Sequence, residues 1–165
     1  MSQPAKIEVI PATREQMTVV DNLMQLYAHD FSDFHHVELD SSGRFNYAPL
    51  ALYWRDPDRH PFLVKMDGRL AGFVLVQRNG TVWDMVEFFV LRGYRRRGAG
   101  TAIAQEVWKR FPGQWEVRVM QANKAALPFW ERAISMFAGR RIEPVGIEKD
   151  GNSWRVFTFE STIDH

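Results

Sequence analysis

Two groups of residues in this chain have types and spacings that chemistry could use. The first is Arg95-Arg96-Arg97-Gly98-Ala99-Gly100-Thr101, which follows the apolar run Phe88-Phe89-Val90-Leu91. Its glycines remove Cβ atoms where backbone must approach something closely, and its N–H groups gather at the positive end of the helix that the next residues predict. Such a loop suits phosphate, and Arg96 and Arg97 add charge-assisted donors to it. An ordinary strand-to-helix connection with solvated arginines is the competing reading. The nucleotide loops do not fit: no Gly-Lys-Ser/Thr occurs, and Gly98-Ala99-Gly100 lacks the third glycine of G-x-G-x-x-G. The second group is Asp84 and Glu87, two carboxylates in the run Trp83 to Phe89. Three residues apart on a strand, they face opposite sides unless a bulge intervenes. A carboxylate buried among Trp83, Phe88 and Phe89 has a raised pKa, which suits a base working near neutral pH. For each of them, pairing with an Arg or Lys across the sheet is the alternative role.

The elements that must position these groups can be read in chain order. Ile7-Glu8-Val9-Ile10 alternates and predicts a short strand closed by Pro11. Thr13 and Gln16 have capping-box spacing, and Met17, Val20, Leu23, Met24 and Tyr27 recur at helical spacing, predicting a helix over 14–29. Residues 30–60 are irregular and rich in aromatics, with a short helix expected near 48–54. Asp67-Gly68 and Asn79-Gly80 are hairpin turns between apolar runs, so residues 62–90 read as a three-strand antiparallel meander that runs into the glycine loop. The helix after that loop carries Ile103, Val107 and Trp108 inward and ends at Phe111-Pro112-Gly113. Trp115 to Met120 is the next strand, parallel to the meander's last through a right-handed crossover. A helix over 124–138 follows, with Asn123 at its start and Gly139 closing it, and Ile142–Ile147 with Trp154–Phe159 make a final hairpin. The order βα(α)βββαβαββ predicts an α/β (α+β) architecture: a mixed, mostly antiparallel, twisted sheet of about seven strands flanked by helices.

Arg95-x-x-Gly98-x-Gly100 after a meander and at the head of a helix, with a strand and then Asn123-x-x-Ala126-x-x-Phe129, resembles the GNAT superfamily of N-acetyltransferases, whose acetyl-CoA motif is [QR]-x-x-G-x-[GA]. The resemblance covers Phe62 to Gly139, while the N-terminal third agrees in element order and carries no motif. It implies the acyl-CoA N-acyltransferase fold, acetyl-CoA as cosubstrate and direct attack by an amine. By the same resemblance, backbone N–H groups from Arg95 through Arg96, Arg97, Gly98, Ala99, Gly100 and Thr101 hold the pyrophosphate, with Arg96 and Arg97 near the 3′-phosphate. The backbone of Phe88, Phe89 and Val90 pairs with pantetheine, which requires the strand to splay from the one starting at Trp115. A backbone N–H of Val90 or a neighbour polarises the thioester carbonyl. Asn123 hydrogen-bonds pantetheine, with a helix cap as its alternative role. Members often carry a tyrosine after this Phe as general acid; here Trp130 stands beside the cofactor, and its indole has no such proton to give. Water suffices, because a thiolate with a pKa of about 8.5 leaves tolerably well. The acceptor's ammonium, with a pKa of about 10.4, must first lose a proton. Glu87 ranks ahead of Asp84 for that task.

Composition bounds the rest. A chain of 165 residues suits one domain over 1–165, and a formal net charge of +1 disfavours nucleic acid as a partner. With no Cys there is no disulfide framework and no thiolate nucleophile. The apolar runs fall short of a membrane span and the N-terminus has no signal-peptide core, so a cytoplasmic monomer or homodimer with a small-molecule or peptide amine as partner is expected. His35-His36 are adjacent, a spacing that rarely serves one metal ion. The segment from Phe31 to Trp54 is expected to wall the acceptor site, with Asp30, Asp33, Glu38 and Asp40 available to attract a cation. An acyl-CoA-binding module or sensor with little transferase activity is the alternative, motivated by Trp130.

Overall fold

Left-handed backbone at Asp67-Gly68 (φ 53° and 77°) and Asp150-Gly151 (φ 54° and 78°) turns two of the two-residue hairpins, as the Asp-Gly pairs require. The computed structural model describes residues 5–47, 50–95 and 98–162. The strands are β1 (Ile7–Pro11), β2 (Arg59–Met66), β3 (Arg69–Asn79), β4 (Val82–Val90), β5 (Gly113–Met120), β6 (Val145–Lys149) and β7 (Asn152–Ser161). The helices are α1 (Met17–Phe31), α2 (Ala99–Arg110) and α3 (Ala126–Ala138). The strands form one sheet in the order β1-β2-β3-β4-β5-β7-β6. Every pairing is antiparallel except β4 with β5, which α2 connects. This is the mixed, mostly antiparallel sheet that the element order predicts.

Boundaries shift for local reasons. The capping box of Thr13 and Gln16 caps a 3-10 turn, Arg14–Gln16, and α1 starts one residue later. The helix expected near 48–54 is a 3-10 turn over Leu50–Trp54; positions 48 and 49 lie outside the described residues. Helix α3 begins at Ala126, which leaves Pro128 in the first turn, where its missing N–H costs nothing. The strand expected from Ile142 begins at Val145.

The sheet buries both faces. Val74, Val76, Met85, Trp115 and Phe157 pack under α2 and α3 against Ile103, Val107, Trp108 and Ile134. On the other face Leu63, Phe73, Leu75 and Phe89 pack under α1 against Val20, Leu23 and Met24. Ala71 and Phe73 to Val76 in β3 are all fully enclosed, which is the unbroken apolar run of a central strand. Gly72 is required there: a Cβ at this position would come within 2.0 Å of the Phe89 carbonyl oxygen on β4.

Two irregularities in β4 matter for function. Its register with β3 runs Val76↔Met85 and then Leu75↔Glu87, so Val86 is the extra residue of a β-bulge. Its parallel pairing with β5 spans Val82↔Gln114, Trp83↔Trp115 and Asp84↔Glu116 and then stops. Strand β5 continues on β7 as far as Met120↔Trp154, so β4 and β5 part from Asp84 onward. No helix among the described residues is long and apolar enough to cross a membrane.

Candidate active site

Where β4 leaves β5, a cleft of about 900 Å³ opens. Its floor is β4 from Asp84 to Val90; Tyr27, Phe31 and Phe34 wall one side, and Asn123, Ala126, Phe129 and Trp130 the other. Beyond Asp84 the β5-facing edge of β4 carries no strand among the described residues. Phe88, Phe89 and Val90 therefore present backbone to the cleft in the way a short added strand could use.

The glycine loop closes one end. Gly98 sits at φ +72° as the N-cap of α2, and a Cβ built there meets nothing within 4 Å, so the space ahead of the helix is open. A Cβ on Gly100 would lie 3.0 Å from the Phe129 ring, so this glycine lets α2 lie close to α3. Gly98, Gly100 and Thr101 line the cleft, whereas Ala99 is buried in the core beneath it. The Arg95 side chain turns back: its Nε donates to the Val90 carbonyl at 2.5 Å and its Nη2 to Asp30 at 2.8 Å. Arg92 donates to the other Asp30 oxygen at 2.8 Å. Burial alone would raise the Asp30 carboxyl, but the hydrogen bonds from Arg95 and Arg92 outweigh it and hold it below the usual carboxylate range. Arg95 thus braces the loop against α1 and the end of β4. Arg96 and Arg97 lie outside the described residues.

Asn123 lines the cleft while its Oδ1 accepts from the N–H of Ala126, the first residue of α3, at 3.3 Å; the N-cap position itself is Ala125, so Asn123 stands two residues ahead of the cap it was expected to fill. Trp130 is 8% exposed and packs edge-on against Phe88 and Phe129, each with ring centres 4.9 Å apart. It stiffens the wall behind the β4 edge.

The bulge at Val86 decides the disposition of the carboxylates. Asp84 pairs with Gln77 and Glu87 with Leu75, two positions apart on β3, so both carboxylates face the α1 side. Asp84 is 4% exposed and accepts from Arg118 Nη2 at 2.7 Å. Burial raises its carboxyl and Arg118 opposes the rise, which makes Asp84 the paired partner rather than a free base. Glu87 forms no ion pair among the described residues. Its Oε1 accepts from the Tyr47 hydroxyl at 3.3 Å, and its Oε2 is enclosed without a well-formed hydrogen bond. Burial pushes Glu87 up to about 7, with the neighbouring Tyr27 and Tyr47 hydroxyls pulling the other way. Tyr27 itself, raised well above its ordinary value by burial and then by Glu87, stays a neutral donor. A carboxylate that ionises near neutral pH on the floor of an aromatic cleft can take a proton from an approaching group.

Of the acids expected to attract a cation, Asp33 alone both lines the cleft and forms no ion pair among the described residues. Asp30 is held by two arginines, Asp40 closes its own loop through Ser42 and Arg44, and Glu38 pairs with His36 at 3.3 Å. Sequence reasoning placed Tyr47 only within the aromatic segment expected to wall the acceptor, and missed Arg118, the role of Tyr27 and the bond from Tyr47 to Glu87. Tyr27 ends the apolar stripe of α1, where a hydroxyl on a buried stripe is a usable signal; Tyr47 carries none.

Residues 20–135 match the sequence model of the acetyltransferase (GNAT) family. No curated protein matches the chain in sequence. Among solved structures, an acetyltransferase from Thermus thermophilus superposes with a TM-score of 0.67 at 14% identity, covering 94% of this chain and 97% of that one. Spermidine N-acetyltransferase from Vibrio cholerae, in complex with CoA and spermine, gives a TM-score of 0.66 at 12% identity, covering 94% and 95%. The ribosomal-protein-S18-alanine N-acetyltransferase of Escherichia coli gives 0.61 at 13%, covering 97% of each. At these identities the likeness is one of fold. The family match runs from α1 through the meander, the glycine loop and α3, the elements that build the cleft, and on it the chain belongs to the GNAT family of acetyltransferases.

Proposed function

We propose that the protein is an N-acetyltransferase that moves an acetyl group from acetyl-CoA to a primary amine by direct attack, with Glu87 as the base. The observation that carries this reading is Glu87 itself, a half-buried carboxylate with one oxygen enclosed, raised to about 7 on the floor of the cleft where β4 leaves β5. The fit to the cosubstrate rests on the open space ahead of Gly98, the unpaired β4 edge and the size of the cleft. Acetyl-CoA, when bound, supplies a thioester carbonyl and a thiolate leaving group. The N–H groups at Gly98 to Thr101, with the α2 dipole behind them, hold the pyrophosphate. Phe88 to Val90 pair with the pantetheine amides, Asn123 adds a side-chain contact, and an N–H of Val90 or a neighbour polarises the carbonyl. Glu87 takes the proton of the acceptor's ammonium, a transfer its raised pKa favours, and so frees the nitrogen lone pair. Tyr27, Phe31 and Phe34 wall the acceptor side and keep water away from it.

The test is acetyl-CoA consumption by the purified protein with spermidine, a peptide beginning with alanine, and lysine, for the wild type and Glu87→Gln. Transfer to one of these amines that drops at least 100-fold in Glu87→Gln supports the reading. CoA binding with no transfer to any amine leaves the binding module.

A further inference from the structure

The segment after α1 crosses the α1-facing side of the sheet, and it is fixed there by side chains that the chemistry above does not use. Gln25 on α1 spans both backbone groups of Phe45: its Nε2 donates to the Phe45 carbonyl at 2.9 Å, and its Oε1 accepts from the Phe45 N–H at 2.8 Å. One amide thus does for this residue what a neighbouring strand would do, fixing position and orientation together. Beside it Arg44 donates to Asp21 of α1 at 2.7 Å, and Asp40 accepts from the N–H groups of Ser42 and Arg44 at 2.9 and 3.0 Å, shaping the bend that leads in. Two residues beyond the clamp, the Tyr47 hydroxyl reaches Glu87 across 40 positions of sequence. Tyr47 as a whole residue is 40% exposed and belongs to neither core cluster, so the core does not hold it in place.

We infer that Tyr47 is a positioning residue for Glu87, and that Gln25, which has no hydrogen bond to the carboxylate, sets that contact by clamping the segment to α1. This rests on Glu87 being the base. The groups facing Glu87 from the elements around it are Tyr27 of α1, Tyr53 of the 3-10 turn, Asp84 of β4 and Arg118 of β5, besides Tyr47. Arg59 of β2 acts on Tyr47 and Tyr53 rather than directly on Glu87. Tyr47 is the one whose donor stands on a segment without regular secondary structure, so its contribution depends on the clamp. A hydrogen bond to the ionised form favours ionisation, so losing it shifts Glu87 toward the protonated state.

The test is carbon-13 NMR of protein labelled at glutamate side-chain carboxyls, with the Glu87 signal assigned by its loss in Glu87→Gln and titrated against pH. It needs neither acceptor nor acetyl-CoA. The Glu87 midpoint is expected to rise by about half a unit to one unit in Tyr47→Phe, the size of one modest hydrogen bond. Gln25→Leu is expected to shift it the same way, and the double variant no further than Tyr47→Phe. A midpoint unmoved in either single variant, or shifts that simply add, would overturn the inference, because a merely structural role lowers stability without moving this titration. The base assignment fails separately, through acetyl transfer that persists in Glu87→Gln.

Discussion

Replacing Glu87 with glutamine removes an ionisable group from an enclosed site while keeping its volume, and the consequence for stability has a definite sign. In the unfolded chain this carboxyl titrates near 4.5, and in the folded protein near 7. Below about pH 4.5 both states carry the proton and Glu87 has no pH-dependent effect. Between 4.5 and 7 the unfolded state gives up its proton while the folded state keeps it, so wild-type stability falls as pH rises; above 7 the loss is complete and constant. At about 1.4 kcal/mol per pKa unit, the loss amounts to about 3 kcal/mol. Glu87→Gln escapes it. Thermal unfolding of the two proteins at pH 4.5 and at pH 8 reads the difference. Whatever offset the amide brings by packing is common to both conditions, so the variant should gain roughly 6–12 °C in relative Tm at pH 8 over pH 4.5. The same substitution should abolish base-assisted transfer, a trade of function for stability expected where a charge is held against its own solvation. An offset in Tm that is the same at both pH values would refute the claim that burial raises Glu87.

Two further outcomes follow from the geometry. Gly98→Glu places a side chain and a negative charge in the open space ahead of α2, so CoA affinity measured by calorimetry should fall at least tenfold. Gly98→Ala, strained by about 1 kcal/mol at φ +72°, should lose stability but less affinity. Arg118→Met leaves Asp84 buried without its cation, and because the guanidinium is one-third exposed the cost should be about 2 kcal/mol, below that of a fully enclosed pair. Denaturant midpoints should show most of that loss recovered when Asp84→Asn is added.

Features set by local chemistry were legible in the sequence. Asp67-Gly68 and Lys149-Asp150-Gly151-Asn152 name their turns, Pro128 limits where α3 can begin, and the apolar run between Asp67-Gly68 and Asn79-Gly80 declares a strand of the meander. The parallel step from β4 to β5 followed from the helix between them. What remained hidden depends on contacts far apart in sequence. Val86 is an ordinary strand residue, and its place as the bulge is fixed by the register of β3 across from it. The Arg95 side chain turns toward Asp30, 65 positions away, a partner that nothing near it in the sequence announces. Tyr47 reaches Glu87 from a stretch with no periodicity, through a clamp whose partner Gln25 lies 20 residues earlier.

The bulge and the parting of the strands are best understood together. With strict alternation Asp84 and Glu87 would face opposite sides of the sheet, and one of them would lie under α2 and α3, away from the aromatic wall of α1. The extra residue at Val86 places both on the α1 side, and bulges strengthen local twist. The pairing with β5 ends at Asp84, two residues before that bulge. A single stretch of β4 therefore provides the Arg118-paired carboxylate where the strands still pair, the hydroxyl-bonded carboxylate where they have separated, and from Phe88 to Val90 an edge that no strand covers and whose last carbonyl is held by Arg95. The two carboxylates differ because of their places along this stretch. Asp84 lies within reach of the β5 side chain that neutralises it, whereas Glu87 lies past the parting, where tyrosine hydroxyls are its neighbours and burial sets its ionisation.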